Sequence, residues 1–132
     1  MDIIDYRPET AMVIFAHPDD AEIGSGGTVS KWSKDGTEVT FIQCTTGNNG
    51  SNDLEMTSEK IQTLRKKEQE QAANIIGAKN LVSLDYEDGK LKSSDDFLEK
   101  IVENIRKYRP EIVFTHDHFR KNSFQHRDHR NT

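Results

Sequence analysis

The sequence predicts an α/β fold built on a parallel, doubly wound sheet of strand order 3-2-1-4, and three observations carry that expectation. Four short apolar runs are separated by three stretches of helical periodicity, with no internal repeat and no low-complexity segment. Two of the runs, Val13-Ile14-Phe15-Ala16 and Ile112-Val113-Phe114-Thr115, are nearly free of polar residues, as strands buried on both faces of a parallel sheet are. All five histidines fall at the carboxyl ends of just those two runs, and that is the edge where open α/β sheets bind ligands.

The first strand runs into His17-Pro18-Asp19-Asp20. Pro18 cannot donate a ladder hydrogen bond and biases His17 towards extended backbone, so the strand ends there. Two adjacent carboxylates beside an apolar strand tip are costly unless a cation or donors compensate them. The plain alternative is an Asp-Asp helix cap beside a core histidine. The helix that follows extends to about Asp35, with Gly36 as its stop. Its Gly24-Ser25-Gly26-Gly27 start is no dinucleotide fingerprint, because Val29 stands where the third glycine belongs and Cys44-Thr45-Thr46 where an acid belongs. These glycines are expected to let the helix pack close to the sheet and to let a substrate approach the backbone.

Residues 38–45 form the second strand, β-branched and aromatic. The polar residues 47–53 follow as a loop, a candidate substrate rim that includes Asn49. Thr57 or Ser58 caps a long helix ended by Gly77, with Ile61, Leu64, Ala72, Ile75 and Ile76 as its inner stripe and Arg65 and Glu68 near it. Residues 81–84 are the third strand, followed by an acidic turn with Gly89. Ser94 starts a third helix whose Phe97, Leu98, Ile101, Val102, Ile105 and Tyr108 read as core. Pro110 closes it before the fourth strand. In the order 3-2-1-4, strands one and four are neighbours about 5 Å apart, so the segments after them converge on one crevice.

After strand four come His116-Asp117-His118-Phe119 and, beyond a polar stretch, His126-Arg127-Asp128-His129, so four of the five histidines lie within fourteen residues. His17, Asp20 and one histidine of the second pair supply two nitrogens and one oxygen. Three protein ligands with an open position make a catalytic zinc site. The same set suits a non-haem iron oxygenase, so the ligands alone do not name the metal.

Composition bounds the rest. The 132 residues are 31% charged with a net charge of −5, which argues against nucleic acid as a partner. One cysteine, Cys44, excludes an intrachain disulfide and reads as a small buried hydrophobe. The acidic start Met1-Asp2-Ile3-Ile4-Asp5 is unlike a signal peptide, and no apolar run reaches membrane-spanning length. A soluble, cytoplasmic protein is expected, with no membrane partner and with homo-oligomerisation left open.

Ala16-His17-Pro18-Asp19-Asp20-Ala21-Glu22-Ile23-Gly24, with Gly26-Gly27-Thr28, closely resembles the first motif of the PIG-L/LmbE family of zinc-dependent N-deacetylases. His126-Arg127-Asp128-His129 is similar to its second motif, with Arg127 in place of the usual proline, and residues 46–51 and 65–69 are similar to members too. The resemblance implies a Rossmann-like three-layer sandwich and hydrolysis of an N-acetyl amide on an amino sugar or its conjugate. It implies His17, Asp20 and His129 as ligands of zinc or another divalent metal, and Asp19 as general base. His126 would stabilise the oxyanion or act as acid, Asp128 would orient it, and Arg65 would contact the sugar. Asn49 and His116 complete the expected substrate contacts. Members continue beyond the second motif, so residues 1–132 are expected to be one domain that forms the N-terminal part of the family fold. The competing expectation is an inactive sugar-binding or truncated relative.

Overall fold

The computed structural model describes residues 5–51, 53, 55–118 and 126–132. Residues 1–4 of the acidic start, Asn52 of the polar loop, Phe119 and the stretch before His126 lie outside the described residues. The elements are β1 (Thr10–Phe15), α1 (Asp20–Lys34), β2 (Glu38–Thr45), α2 (Ser58–Ile76), β3 (Asn80–Tyr86), α3 (Asp95–Tyr108), β4 (Ile112–Phe114) and a short α4 (Arg127–Asn131). The four strands form one sheet in the order β3-β2-β1-β4, and every pairing is parallel.

Because strand side chains alternate between faces, β1 feeds two cores at once. Ala11, Val13 and Phe15 join Val39 and Phe41 of β2 against Ala21 and Val29 of α1 and Ala73 of α2. Met12 and Ile14 join Ile42 and Cys44 against Leu91 and Phe97 on the other face. Phe15 and Phe41 meet edge to face at 5.6 Å, a favoured aromatic arrangement. Helices on both faces of a parallel sheet give the three-layer sandwich. In the register, Phe15 lies opposite Gln43 and Val13 opposite Phe114, so the chain leaves β1, β2 and β4 on one edge.

Local signals place the helix ends. Thr57 Oγ1 accepts from the Lys60 N–H at 3.3 Å, and Ser94 Oγ accepts from the Phe97 N–H at 3.3 Å, each satisfying an orphan donor. Gly77 ends α2 at φ 92°, with Ser33 Oγ only 2.1 Å from where a Cβ would stand.

Several expectations need correction. In α2, Leu64 and Ile75 are not inner residues, Ile75 being 83% exposed; Ile61, Gln69 and Ala73 are its buried positions. In α3, Phe97 is buried while Leu98 is 60% exposed and Ile105 is also exposed. The fourth strand is three residues long and Val113 is 42% exposed, because β4 is an edge strand among the described residues. Gly24 and Gly27 face open space and Gly26 meets only Ile76 at an ordinary 3.7 Å, so close packing is not what these glycines supply. No helix among the described residues is long and apolar enough to cross a membrane.

Candidate metal centre

Past Phe15 the chain is pinned before it turns. The Ala16 carbonyl accepts from both the N–H and the Oγ1 of Thr45 at 2.9 Å, and the Ala16 N–H lies 3.1 Å from His116 Nε2. Asp19 then adopts a left-handed conformation, φ 88° and ψ −22°. That reverses the chain so that Asp20 folds back under His17, with its Oδ2 accepting from the His17 N–H at 2.8 Å.

Three atoms converge there. His17 Nδ1 and His129 Nε2 are 3.2 Å apart, and Asp20 Oδ2 lies 3.5 Å from the first and 3.3 Å from the second. A tetrahedral ion with bonds of ~2.0–2.1 Å separates its ligand atoms by about 3.3–3.4 Å. Donor types and spacing therefore fit a divalent cation. The two imidazoles and the carboxylate come from separate elements, β1's exit, α1 and α4, which the sheet order brings together.

On the far side of the His17 ring, Nε2 lies 3.0 Å from Asp128 Oδ2 and 3.1 Å from Asp88 Oδ1. With a metal bound, an Nε2–H aimed at these carboxylates would fix the tautomer and leave the Nδ1 lone pair to the ion, the usual support behind a metal-binding histidine. Asp128 is fully buried and is held by the Gly89 N–H at 2.7 Å and the Leu91 N–H at 3.1 Å. Its Oδ2 is 3.9 Å from His126 Nδ1, so Asp128 serves His17 more closely than His126. His126 is oriented by the Asp128 N–H, which its Nδ1 accepts at 3.2 Å. Its ring lies 4.6 Å from that of His17, edge to face.

Charges follow from these contacts in the metal-free protein. Burial works against a charged His17, but Asp20 and Asp128 as hydrogen-bond partners and the charge of Asp88 outweigh it and raise its pKa to about 9. Burial likewise opposes the Asp20 carboxylate, and its contacts with His116 and His17 override it and hold Asp20 well below the usual range. Asp19 is pushed up, first by burial and then by the charge of Asp20, against the pull of Arg65 and His17. His129 is lowered, chiefly by burial, which favours the neutral, ligating form.

Asp19 stands outside the three-atom cluster and faces a mouth of about 230 Å³ that it shares with His17, Gly50, Arg65, Asp88 and His126. Arg65 Nη1 is 3.8 Å from Asp19 Oδ2 and 3.5 Å from Glu68 Oε2. The rim closes tightly: a Cβ on Gly47, at φ 65°, would come within 2.8 Å of Pro18. Asn49 is tied to the same rim, its Nδ2 donating to the Asp88 carbonyl at 2.7 Å. His116 stacks on His129 with ring centres 4.0 Å apart, and its Nε2 is 3.4 Å from Asp20 Oδ2. It buttresses the cluster from behind. A larger groove of about 360 Å³ lies between α2 and β3, with Gln69 and Thr46 among its lining.

Sequence reasoning missed Asp88, Glu22 and Gln69. Asp88 carried a usable signal, since an acid in the turn after the strand next to β2 lies on the same carboxyl edge. Glu22 and Gln69 lie within the stretches that resemble the family, but their types and spacing alone do not pair them, Gln69 being one polar residue among many on α2.

Residues 12–132 match the family model for PIG-L, described as GlcNAc-PI de-N-acetylase. The diacetylchitobiose deacetylase of Thermococcus kodakarensis is 36% identical over 106 residues, 80% of this chain and 40% of that protein. A "Probable N-acetyl-alpha-D-glucosaminyl L-malate deacetylase 2" of Bacillus cereus is 34% identical over 79% of this chain and 50% of its own. The solved N,N'-diacetylchitobiose deacetylase from Pyrococcus horikoshii superposes with a TM-score of 0.91 at 34% identity, covering 95% of this chain and 46% of that one. The chain thus spans about half the length of the relatives it matches. It belongs to the PIG-L family.

Proposed function

We propose that the protein is an N-deacetylase that hydrolyses an N-acetyl amide on an amino sugar or its conjugate, with zinc held by His17, Asp20 and His129. The observation that carries this reading is the triangle of Nδ1, Oδ2 and Nε2 with sides of 3.2–3.5 Å, set beside a mouth that presents Asp19, Arg65 and His126. Relatives named as deacetylases of diacetylchitobiose and of an N-acetylglucosaminyl conjugate support the substrate class.

A divalent ion bound by the triad would polarise the amide carbonyl and bring the acidity of a water towards neutral pH. The chain's own groups do the rest. Asp19, its basicity raised by burial and by Asp20, takes the proton of the attacking water. His126 lines the mouth and its Nδ1 is occupied by the Asp128 N–H, so Nε2 is the nitrogen left to donate to the developing oxyanion. The leaving amine takes its proton from Asp19 or His126. Asp88 and Asp128 keep the His17 ring in one orientation, and Arg65 meets the sugar hydroxyls. The reading also takes residues 1–132 as the N-terminal part of one deacetylase domain, in a cytoplasmic hydrolase.

The test is metal analysis together with acetate release from N-acetylglucosamine and N,N'-diacetylchitobiose. The expected result is one zinc per chain and turnover abolished by chelator and restored by zinc. Zinc and sugar bound without acetate release would favour a sugar-binding relative. Oxygen uptake with ferrous iron would favour an oxygenase.

A further inference from the structure

Asp19 stands at the N-cap of α1, yet its side chain makes no capping hydrogen bond. An aspartate there normally satisfies one of the first free N–H groups of the helix. Here the carboxylate is left for the mouth, and the backbone sits at φ 88°, a conformation that side-chain-bearing residues hold only when their surroundings enforce it. Something else must therefore hold residue 19.

That anchor is on α2. The Asp19 N–H donates to Gln69 Oε1 at 3.1 Å, and Gln69 Nε2 donates to Glu22 Oε1 at 2.7 Å. Gln69 is 2% exposed between exposed Glu68 and Glu70, and a buried amide on an otherwise solvated helix stretch is the informative kind of polar residue. Its two ends differ chemically, one accepting and one donating. Glu22, as an acceptor, fixes which way the amide points, so that the oxygen faces Asp19. The other Glu22 oxygen, Oε2, is buried with no partner among the described residues. A buried acceptor left unsatisfied is destabilising, so what Glu22 contributes here is orientation of the Gln69 amide.

We propose that Gln69, oriented by Glu22, is a positioning residue that holds the Asp19 backbone in its left-handed turn, keeping the Asp19 carboxylate at the mouth while Asp20 faces His17 and His129. The inference rests on the deacetylase reading for its kinetic consequence, but not for its structural one. Without the anchor the turn relaxes, the metal triad survives through Asp20, and only the proton acceptor drifts; a misplacement near 1 Å costs on the order of 100-fold in rate.

The test is Gln69→Leu, Gln69→Glu, and Gln69→Glu combined with Glu22→Gln, each read by hydrogen exchange at the Asp19 amide, zinc content and steady-state kinetics. Gln69→Leu is expected to keep zinc, lose protection at Asp19 and lower kcat about 10- to 100-fold with KM little changed. Gln69→Glu sets two carboxylates against each other and is expected to behave similarly. The double variant restores the chain of hydrogen bonds, because Gln at 22 donates to Glu at 69, which accepts from Asp19, and is expected to recover both protection and kcat. Unchanged Asp19 protection in Gln69→Leu, or no rescue in the double variant, would overturn the proposal. Should Gln69→Leu not fold, the Gln69→Glu pair decides alone. A zinc-loaded parent that releases no acetate would instead count against the deacetylase reading, while the exchange measurements still decide whether Gln69 holds Asp19.

Discussion

Residues 11–15 of β1 are buried among carbon atoms, with Phe15 against Phe41 and Met12 beside Ile42 and Leu91. Two residues further on, His17, Asp19 and Asp20 are surrounded by imidazoles, carboxylates and a guanidinium. The first region is held by removal of apolar surface from water. The second gains little from burial and is held by charge-assisted hydrogen bonds, which are strong but directional. The sheet interior thus sets stability and the rim sets chemistry, and one strand delivers both because its carboxyl end opens into the crevice.

If that division is right, the two regions answer to different probes. The largest effect is expected at the rim. Asp19→Asn should lower kcat by ~10²–10⁴-fold, as loss of a proton acceptor does, while zinc content and urea midpoint stay at their parent values. A parallel loss of zinc would merge base and ligand and erase the distinction between Asp19 and Asp20. In the interior, Phe41→Ala should cost ~3–5 kcal/mol of stability, by the same amount with zinc or with chelator in urea titrations. Dependence on zinc would mean that core and rim are coupled.

Asp128→Asn should weaken zinc binding ~10- to 100-fold in competition titrations, the usual effect of removing support behind a metal histidine. A wild-type affinity would return Asp128 to the role of orienting His126.

The smallest effects are in pH. The pKa of His17 in the metal-free protein is raised to about 9 from 6.5, so its contribution to stability is complete below 6.5 and is lost as pH rises through 9. The pKa of Cys44 is raised by burial from 9.0 to about 12, so its contribution is complete below 9 and is lost as pH rises towards 12. Thermal melts should therefore show a decline between pH 6.5 and 9 in chelator only. The decline above 9 should appear with and without zinc. A zinc-loaded protein that loses stability between pH 6.5 and 9 would contradict the assignment of His17 as a ligand.

Much of this was legible in the sequence because it depends on period and topology. Alternating runs predict the order β3-β2-β1-β4, which brings the segment after β4 to the edge where His17 lies, and Asp128 on the Gly89 and Leu91 amides holds His126 and His129 there. What was not legible depends on neighbours. The periodicity of α3 marks Leu98 and Ile105 as apolar but cannot say how far they are covered, and the described residues leave them 60% and 37% exposed. The resemblance assigned Asp128 to His126, whereas folding places its carboxylate on His17 and on the Gly89 and Leu91 amides. Gln69 lies 50 residues from Asp19, and no pattern along the chain joins them.

If one cation sits on the triad of His17, Asp20 and His129, anomalous diffraction at the zinc edge from zinc-soaked crystals will find it. One strong peak is expected within bonding distance, ~2.0–2.2 Å, of His17 Nδ1, Asp20 Oδ2 and His129 Nε2. A peak bound instead by Asp88, Asp128 and His126, or none at saturating zinc, would contradict it.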